Sequence, residues 1–409
     1  MADIDRILPL WRELETAGAD YVLATVIEVQ GSSYRRPGAC MLLAPDGRRA
    51  GTVSGGCLEA QVATRAWWLT ESGPVIQRYS TAEEDGELPY GSGCGGVVFL
   101  LLERRPTAGP LLSALEEAHN RRTPLAVSTI LEGPHIGGRA FAGLAHTVPA
   151  VPSNLGAPSF RRSSGERVGE PGPQSVSVYP ELRDLADFAL ERKTPMERAV
   201  SIEGTELRAW VDYRPARPGL WIFGAGDDAQ PLLHLAKELG WFVTVSDGRS
   251  HLVTRARFPL ADELHVLNIQ VLPGNQKAAP VASIAHLQSH DAAVLMTHSF
   301  EQDARILASL LTLDHSPAYI GVLGPQRRTR ELLVDVARLL NLIASTTSAI
   351  DARIELWLAR LHAPMGLDLG AESPESIALS ILAEIQQSLT ASTALPLRQV
   401  RATALAPSR

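Results

Sequence analysis

Residues 220–247 constrain the fold of this 409-residue chain more than any other part of its sequence. An apolar run at 220–223 leads into a glycine turn at Gly224 and Gly226, and a helical pattern of leucines follows. A second apolar run ends at Asp247, about 20 residues after the turn, as in a dinucleotide-binding fingerprint. The order of strand, glycine turn, helix and strand predicts a βαβ unit and hence a parallel sheet.

The glycine turn indicates a ligand site but does not identify the ligand. Glycines let the main chain approach a phosphate, and an acid such as Asp247 can accept hydrogen bonds from ribose hydroxyls. Asp227 and Asp228, however, stand where the pyrophosphate would lie, and they would repel it. A structural Rossmann turn without a dinucleotide and a dinucleotide held through a metal ion are therefore both left open.

The composition is that of an ordinary globular protein. Hydrophobic residues make up 45% of the chain and charged residues 20%, and the net charge of −7 argues against a nucleic-acid partner. The sequence contains no apolar run of membrane-spanning length and no leader pattern at Met1, so we expect a cytoplasmic protein without a membrane partner. The three cysteines, Cys40, Cys57 and Cys94, are too few for a disulfide scaffold.

Sequence patterns predict an α/β protein with five segments. Residues 1–147 are expected to form an α+β domain, and residues 218–390 a Rossmann-like domain with helices on both faces of a parallel sheet. Between them we expect a flexible linker or insertion at 148–178, rich in Pro, Gly and Ser, and a connecting helix and hairpin at 179–217. Residues 391–409 are expected to be a disordered tail.

Two glycine-rich loops of the N-terminal domain carry cysteines. Cys57 follows two glycines just before a helical pattern, and the start of a helix lowers the pKa of a thiol. Cys94 lies in the loop 91–96, which offers few side chains that could bury it. Both thiols could contact a soft metal or a sulfur-bearing ligand, with a buried structural role as the alternative. Cys40 lies in a strand pattern and is expected to be structural.

Arginines and a histidine lie at three further positions where a predicted strand ends or a predicted helix begins. Arg35 lies in the loop 31–38, whose guanidinium groups suit a phosphate or carboxylate, with a solvated hairpin loop as the alternative. His298 follows a predicted strand, and it could act as an acid, a base or a hydrogen-bond donor, or have only a structural role. Arg327 and Arg328 begin a predicted helix, where cations oppose the helix dipole; this indicates a bound anion or a solvated cationic face.

The loop at 362–370 precedes the last long helical pattern. It could form one wall of the ligand site, or it could be a turn that docks the last helix. After it, Ser373-Pro374-Glu375 has the pattern of a helix start, with Ser373 as the N-cap.

Taken in order, these segments resemble the XdhC/CoxI family of accessory proteins for molybdenum hydroxylases such as xanthine dehydrogenase. The resemblance lies in short segments of both halves of the chain, namely 31–38, 54–59, 93–96, 222–229, 243–249, 296–298, 321–328 and 362–370 with the Ser-Pro-Glu helix that follows. It implies an N-terminal XdhC/CoxI domain and a C-terminal Rossmann domain.

The resemblance implies a maturation chaperone rather than a catalyst. Such a protein binds the molybdenum cofactor (molybdopterin), protects it while a terminal oxo ligand is exchanged for sulfur, and helps to insert it into the apo-form of a molybdenum hydroxylase. The sulfur would come from a cysteine desulfurase. The alternatives from the residues alone are an NAD(P)-dependent oxidoreductase and a nucleotide-sensing scaffold, and a homodimer is left open.

We expect the cofactor to lie in a cleft between the two domains. No residue is assigned a catalytic role, and Cys57 and Cys94 are the candidates for contact with molybdenum or with the transferred sulfur. The expected cofactor-binding residues are Arg35, Cys57, Cys94, Gly224, Gly226, Asp227, Asp247, His298, Arg327 and Arg328.

Overall fold

The chain forms two compact units, Met1–Arg217 and Pro218–Arg409, and each is described by itself. The computed structural model describes residues 2–31, 33–56, 58–80, 96–145, 179–267, 284, 286–342 and 347–404. The predicted linker at 148–178 and the candidate ligands Cys57 and Cys94 lie outside the described residues. Within the described residues, no helix is long and apolar enough to cross a membrane.

The first sheet of unit 1 is antiparallel, and its described strands follow the order β3-β2-β1-β5-β4. Alternate residues of β1 point to opposite faces, so Leu23 packs against α1 and α3 while Val22 and Ala24 pack against α2. Helices thus cover both faces of the sheet. The elements are α1 (Ala2–Thr16), β1 (Val22–Gln30), β2 (Cys40–Leu43), β3 (Arg49–Gly51), α2 (Glu59–Leu69), β4 (Val75–Ser80), β5 (Val97–Arg104) and α3 (Arg105–Arg121).

A second antiparallel sheet in unit 1 joins segments that are distant in sequence, in the order β7-β6-β9-β8. The strand β9 pairs with β6, with Arg214 opposite Leu125, and α4 packs on one face through Leu182 and Ala186. The helix and hairpin predicted as a connection at 179–217 therefore complete the fold of unit 1. The elements are β6 (Leu125–Ile130), β7 (Arg139–Ala142), α4 (Pro180–Arg192), β8 (Met196–Ile202) and β9 (Thr205–Arg214).

Unit 2 is built on a parallel sheet whose described strands have the order β12-β11-β10-β13-β14. The strand order reverses between β10 and β13, and ligands of α/β proteins bind at such a point. The predicted α/β class with a Rossmann-like sheet is confirmed. The elements are β10 (Gly219–Phe223), α5 (Ala229–Glu238), β11 (Phe242–Asp247), β12 (Glu263–Val266), β13 (Ala292–Leu295), α6 (Phe300–Leu311), β14 (Tyr319–Val322), α7 (Gln326–Leu339), α8 (Thr347–Leu358), α9 (Pro374–Thr390) and α10 (Leu397–Ala404).

Helices cover both faces of this sheet. On one face α5 and α9 pack through residues such as Leu232 and Ile381, and on the other α6, α7 and α8 pack through residues such as Ile306, Leu333 and Trp357. Because both faces are covered, the strands are apolar along their length, and β10, β13 and β14 are buried at every position.

Local sequence signals predicted the start of α9 but did not predict α10. The predicted N-cap is confirmed, because the Ser373 side chain accepts a hydrogen bond from the Ser376 N–H at the start of α9. The segment 391–409, expected to be a disordered tail, contains α10, at whose start the Gln399 N–H donates to the Pro396 carbonyl; residues 405–409 lie outside the described residues. Leu, Gln, Arg and Ala in this segment favour a helix. In unit 1, Pro9 lies inside α1.

Candidate functional site

The carboxyl edge of the parallel sheet gathers residues predicted from separate parts of the sequence. Gly224 and Gly226 follow β10, Asp247 ends β11, and His298 follows β13. Arg327 belongs to the first turn of α7, which follows β14. The topology therefore brings these predicted positions to one end of the sheet, beside the point at which the strand order reverses.

Packing inside unit 2 explains the two glycines of the turn. Gly224 has a φ of +131°, and a Cβ atom there would lie 2.4 Å from the backbone oxygen of Met296. A Cβ atom on Gly226 would lie 2.5 Å from Oδ1 of Asp228. The backbone contact and the positive φ therefore require Gly224 even without a phosphate ligand, whereas the contact at Gly226 is with a side chain that can rotate.

The carboxylate of Asp247 is fully buried and engaged within the chain. Its Oδ2 accepts hydrogen bonds from the Ala225 N–H at 2.8 Å and from Arg249 Nη2 at 2.8 Å, and its Oδ1 accepts from the Arg249 N–H and Nε. Burial raises the pKa of Asp247, but the hydrogen bonds from Arg249 and Ala225 outweigh burial and hold the pKa below its ordinary value. A ribose would have to displace Arg249 to make the contact that the sequence predicts.

The two acids at the start of α5 differ in exposure. Asp227 is 88% exposed and pairs with Arg257 at 2.7 Å. Asp228 is less exposed, and its Oδ2 lies 3.4 Å from Nε2 of His298. Its Oδ1 is buried and accepts no hydrogen bond from the described residues. An imidazole beside a carboxylate can hold a proton or donate to an anion. Asp228 and His298 thus form a solvent-accessible carboxylate–imidazole pair at the edge of the sheet.

The cations that begin α7 have unequal partners. Arg328 donates to Asp303 at 2.6 Å, and the buried Asp303 also accepts from the Thr297 hydroxyl at 2.7 Å. Arg327 is 90% exposed, and its ion pair within the described residues is a 3.7 Å contact to Glu331 on the same helix. The anion expected at this helix start is thus supplied for Arg328 by the chain itself, whereas Arg327 faces solvent.

In unit 1, the glycine loop before α2 wraps around a carboxylate that the sequence analysis did not single out. Glu59 is buried, and the donors to its oxygens are the N–H groups of Val53, Ser54, Gly55 and Gly56 at 2.9–3.2 Å and the hydroxyls of Thr52 and Ser54. Burial raises the pKa of Glu59, but the hydrogen bonds from Ser54 and Thr52 prevail and lower it to about 2. An acid in the first helical turn after glycines is the sequence signal for this role.

The loop that carries Arg35 touches the loop that surrounds Glu59. A Cβ atom on Gly55 would lie 2.8 Å from Cδ1 of Tyr34, so the Tyr34 ring lies against the backbone of Gly55. The next residue, Arg35, pairs with Asp3 of α1 at 3.1 Å. Two predicted loops of unit 1 are therefore neighbours. Cys57 and Cys94 fall outside the described residues.

The loop at 362–370 docks the last long helix. Glu384 of α9 accepts hydrogen bonds from the Tyr319 hydroxyl and the Gly366 N–H, both at 2.6 Å, and lies 3.0 Å from Nδ1 of His362. The docking alternative is thus confirmed. Across the described residues, no group of three or more His, Cys, Asp and Glu side chains is arranged to hold a metal ion.

The fold and the glycine turn at its strand-order reversal define an α/β protein with a C-terminal domain of Rossmann type. Family models match both parts of the chain: the XdhC and CoxI family over residues 14–80, and the XdhC Rossmann domain over residues 220–385. The chain belongs to the XdhC/CoxI family, as its short segments predicted.

Relatives align along most of the chain. A Bacillus subtilis protein, named as a probable subunit of xanthine dehydrogenase, is 28% identical over 380 residues, which cover 90% of this chain and 92% of the relative. The molybdenum cofactor insertion chaperone PaoD of Escherichia coli is 23% identical over 378 residues, covering 90% and 83%. A Bacillus halodurans crystal structure described as a xanthine dehydrogenase matches with a TM-score of 0.63 at 26% identity and covers 96% of both chains.

Proposed function

We propose that the protein is an accessory protein of molybdenum cofactor maturation. It binds the cofactor, protects it while a terminal oxo ligand is exchanged for sulfur, and delivers it to a xanthine dehydrogenase-type hydroxylase. The observation that carries this proposal is the alignment with a cofactor insertion chaperone over 90% of this chain. The name of the Bacillus subtilis relative supports a client of the xanthine dehydrogenase class.

The arginine side chains of the candidate site support an anionic cargo. The cofactor carries a phosphate and a soft metal, which suit guanidinium groups and thiolates respectively. Arg327 is 90% exposed, so its guanidinium group is accessible to an anion from solution. Within unit 1, we propose Arg35, Cys57 and Cys94 as cofactor contacts. Within unit 2, we propose His298 and Arg327 as contacts to an anionic group, with a shaping role for Gly224, Gly226, Asp227, Asp247 and Arg328.

An NAD(P)-dependent oxidoreductase is less well supported by the same edge of the sheet. Both oxygens of Asp247 are occupied by Arg249 and by the Ala225 N–H, which leaves a ribose without its usual acceptor. The exposed Asp227 keeps negative charge where a pyrophosphate would lie. These features favour a Rossmann fold used without a dinucleotide.

The proposal includes two protein partners. An apo-hydroxylase receives the cofactor, and a cysteine desulfurase supplies the sulfur that replaces the oxo ligand. Cys57 or Cys94 would lie near the metal during this exchange, because a thiolate is the protein ligand best matched to a soft metal.

The test is to purify the full chain anaerobically from cells that make the cofactor, to quantify bound molybdenum and pterin, and to add the protein to an apo-hydroxylase. We expect the protein to carry cofactor and to restore hydroxylase activity. Repeated cofactor-free preparations that restore no activity would refute the proposal.

The cysteine assignment has its own test. We expect Cys57→Ser and Cys94→Ser to weaken cofactor retention without a change in the thermal midpoint of unfolding. Full retention by both variants would remove these residues from the site while leaving the proposed function intact.

A further inference from the structure

Unit 1 contains a cavity of 670 Å³, bounded by the start of α1, the loop before β2, the end of α3 and the end of β9. A cavity of this size can hold a small organic ligand. Its acidic and arginine lining residues, among those the structure describes, are two aspartates and four arginines: Asp3, Asp212, Arg35, Arg36, Arg214 and Arg217. The excess of guanidinium groups suits an anion.

Two of the arginines are held in place before any ligand binds. Arg35 is fixed by Asp3, with Nη1 and Nη2 at 3.1 and 3.2 Å from its carboxylate oxygens. Arg214 donates to Asp212 and to the Gly38 carbonyl, both at 2.6 Å. Cations that are already ordered lose less conformational entropy when an anion binds.

The donors of the lining residues differ in their access to a ligand. Arg35 Nε and Thr123 Oγ1 are buried, and neither has a hydrogen-bond partner among the described residues. Neither atom has accessible surface, so a ligand acceptor would reach it only after the side chain moves. Arg36 is exposed and makes no ion pair with the described residues. The guanidinium groups of Arg35 and Arg36 suit a ligand with several acceptor oxygens.

An exposed aromatic ring lines the same cavity. Tyr34 is 75% exposed, yet its ring is supported by the backbone of Gly55 and has the Arg35 guanidinium carbon 5.7 Å from its centroid. An aromatic ring that is supported within the protein and open to solvent is a surface on which a planar ligand can stack.

We infer that this cavity binds a phosphate monoester carried on a planar heteroaromatic ring. The phosphate contacts Arg35 and Arg36, and the ring stacks on Tyr34. A pterin phosphate and a purine nucleoside monophosphate share this chemistry; the assignment of the pterin as the natural ligand rests on the proposed function. Tyr34 and Arg36 are additions to the residues predicted from the sequence.

The test is calorimetric titration of the full chain with GMP, guanosine and inorganic phosphate, and with the isolated cofactor under anaerobic conditions. We expect GMP to bind more tightly than guanosine or inorganic phosphate. Arg36→Ala and Tyr34→Ala should each weaken GMP binding about tenfold, the scale of one charge-assisted or stacking contact. Because both side chains are exposed, the thermal midpoint should not change. Arg49→Ala, at an exposed arginine of β3 outside the cavity lining, is the matched control.

Each outcome separates this inference from the proposed function. Equal GMP binding by the wild type, Arg36→Ala and Tyr34→Ala would overturn the inference, and so would an absence of binding by every probe. If inorganic phosphate bound as tightly as GMP, the proposed stacking of the ring on Tyr34 would be refuted. If the affinity for the cofactor were the same in the wild type and in both variants, the inference would be overturned while the proposed function stands. GMP binding that depends on both residues, without any cofactor binding, would support the inference and refute the proposed function.

Discussion

The glycine loops of the two units differ in how the chain fills them. In unit 1, the loop 52–56 surrounds the carboxylate of Glu59, and its donors among the described residues are neutral N–H and O–H groups. In unit 2, the Ala225 N–H donates to Asp247 of the neighbouring strand, and Arg249 neutralises that carboxylate. Each loop thus binds a carboxylate of its own chain, with a cation in one case and without one in the other.

This difference shows what a glycine loop before a helix does and does not predict. Its free N–H groups attract an anion, and a glutamate or aspartate of the same chain can be that anion. We therefore propose that contacts to an outside ligand come from side chains beside the loops: His298 and Arg327 in unit 2, and Tyr34 and Arg36 in unit 1.

The largest expected effect comes from the turn of unit 2. Gly224→Ala should destabilise the protein by about 4 kcal/mol or prevent folding of unit 2, because the new Cβ would meet the Met296 backbone and the φ is positive. Gly56→Ala is the matched control: φ is +121°, but no atom of the described residues lies within 4 Å of the new Cβ, so strain alone should cost about 1–2 kcal/mol. Urea unfolding followed by circular dichroism measures both, and equal costs would contradict the packing explanation.

The next effect concerns the carboxylate of unit 1. Glu59→Gln should lower the free energy of unfolding by about 3 kcal/mol, since an amide removes the charge and turns an N–H group toward N–H donors. Glu71→Gln, at an exposed glutamate after α2, should change the free energy by less than about 0.5 kcal/mol. A cost at Glu59 no larger than at Glu71 would mean that the loop holds its shape without the carboxylate.

The pH dependence sharpens the same point. Because the folded protein lowers the pKa of Glu59 from 4.5 to about 2, its contribution is complete above the unfolded pKa and is lost as pH falls toward 2. The stability difference between the wild type and Glu59→Gln should be about 3 kcal/mol at pH 7 and should shrink steadily below pH 4.5. Chemical denaturation at a series of pH values checks this, and a difference independent of pH would contradict the lowered pKa.

The smallest expected effect comes from the carboxylate of unit 2. Asp247→Asn should cost about 1–2 kcal/mol, because Arg249 is 41% exposed and water screens part of the ion pair. Asp227→Asn, at an acid that is 88% exposed, is the control and should be nearly neutral. If the cost at Asp247 exceeded that at Glu59, the comparison between the two loops would be reversed.

Local sequence signals predicted the parts of the fold that depend on neighbouring residues. The βαβ order at 220–247 and the cap at Ser373 follow from periodicity and from the chemistry of helix starts. The pairing of β6 with β9 could not be predicted in this way, because it joins strands on either side of the segment 148–178. Long-range pairing leaves no local periodic signal in either strand.

The same limit applies to the candidate site. The sequence indicated that Arg35, Asp247 and His298 lie at the ends of strands or in loops. It could not indicate that Arg249 donates hydrogen bonds to the Asp247 carboxylate, or that Asp228 lies beside His298. The cavity of unit 1 depends on α1, α3 and β9 meeting around one loop, so its lining becomes visible only in the folded unit. Side-chain partners that come from distant elements are determined by packing and not by spacing.

The most direct test of the account is an anaerobic calorimetric titration of the full chain with isolated molybdenum cofactor and, in parallel, with NAD and NADP. We expect saturable binding of the cofactor and no measurable binding of either dinucleotide. Tight binding of NAD or NADP without binding of the cofactor would contradict it.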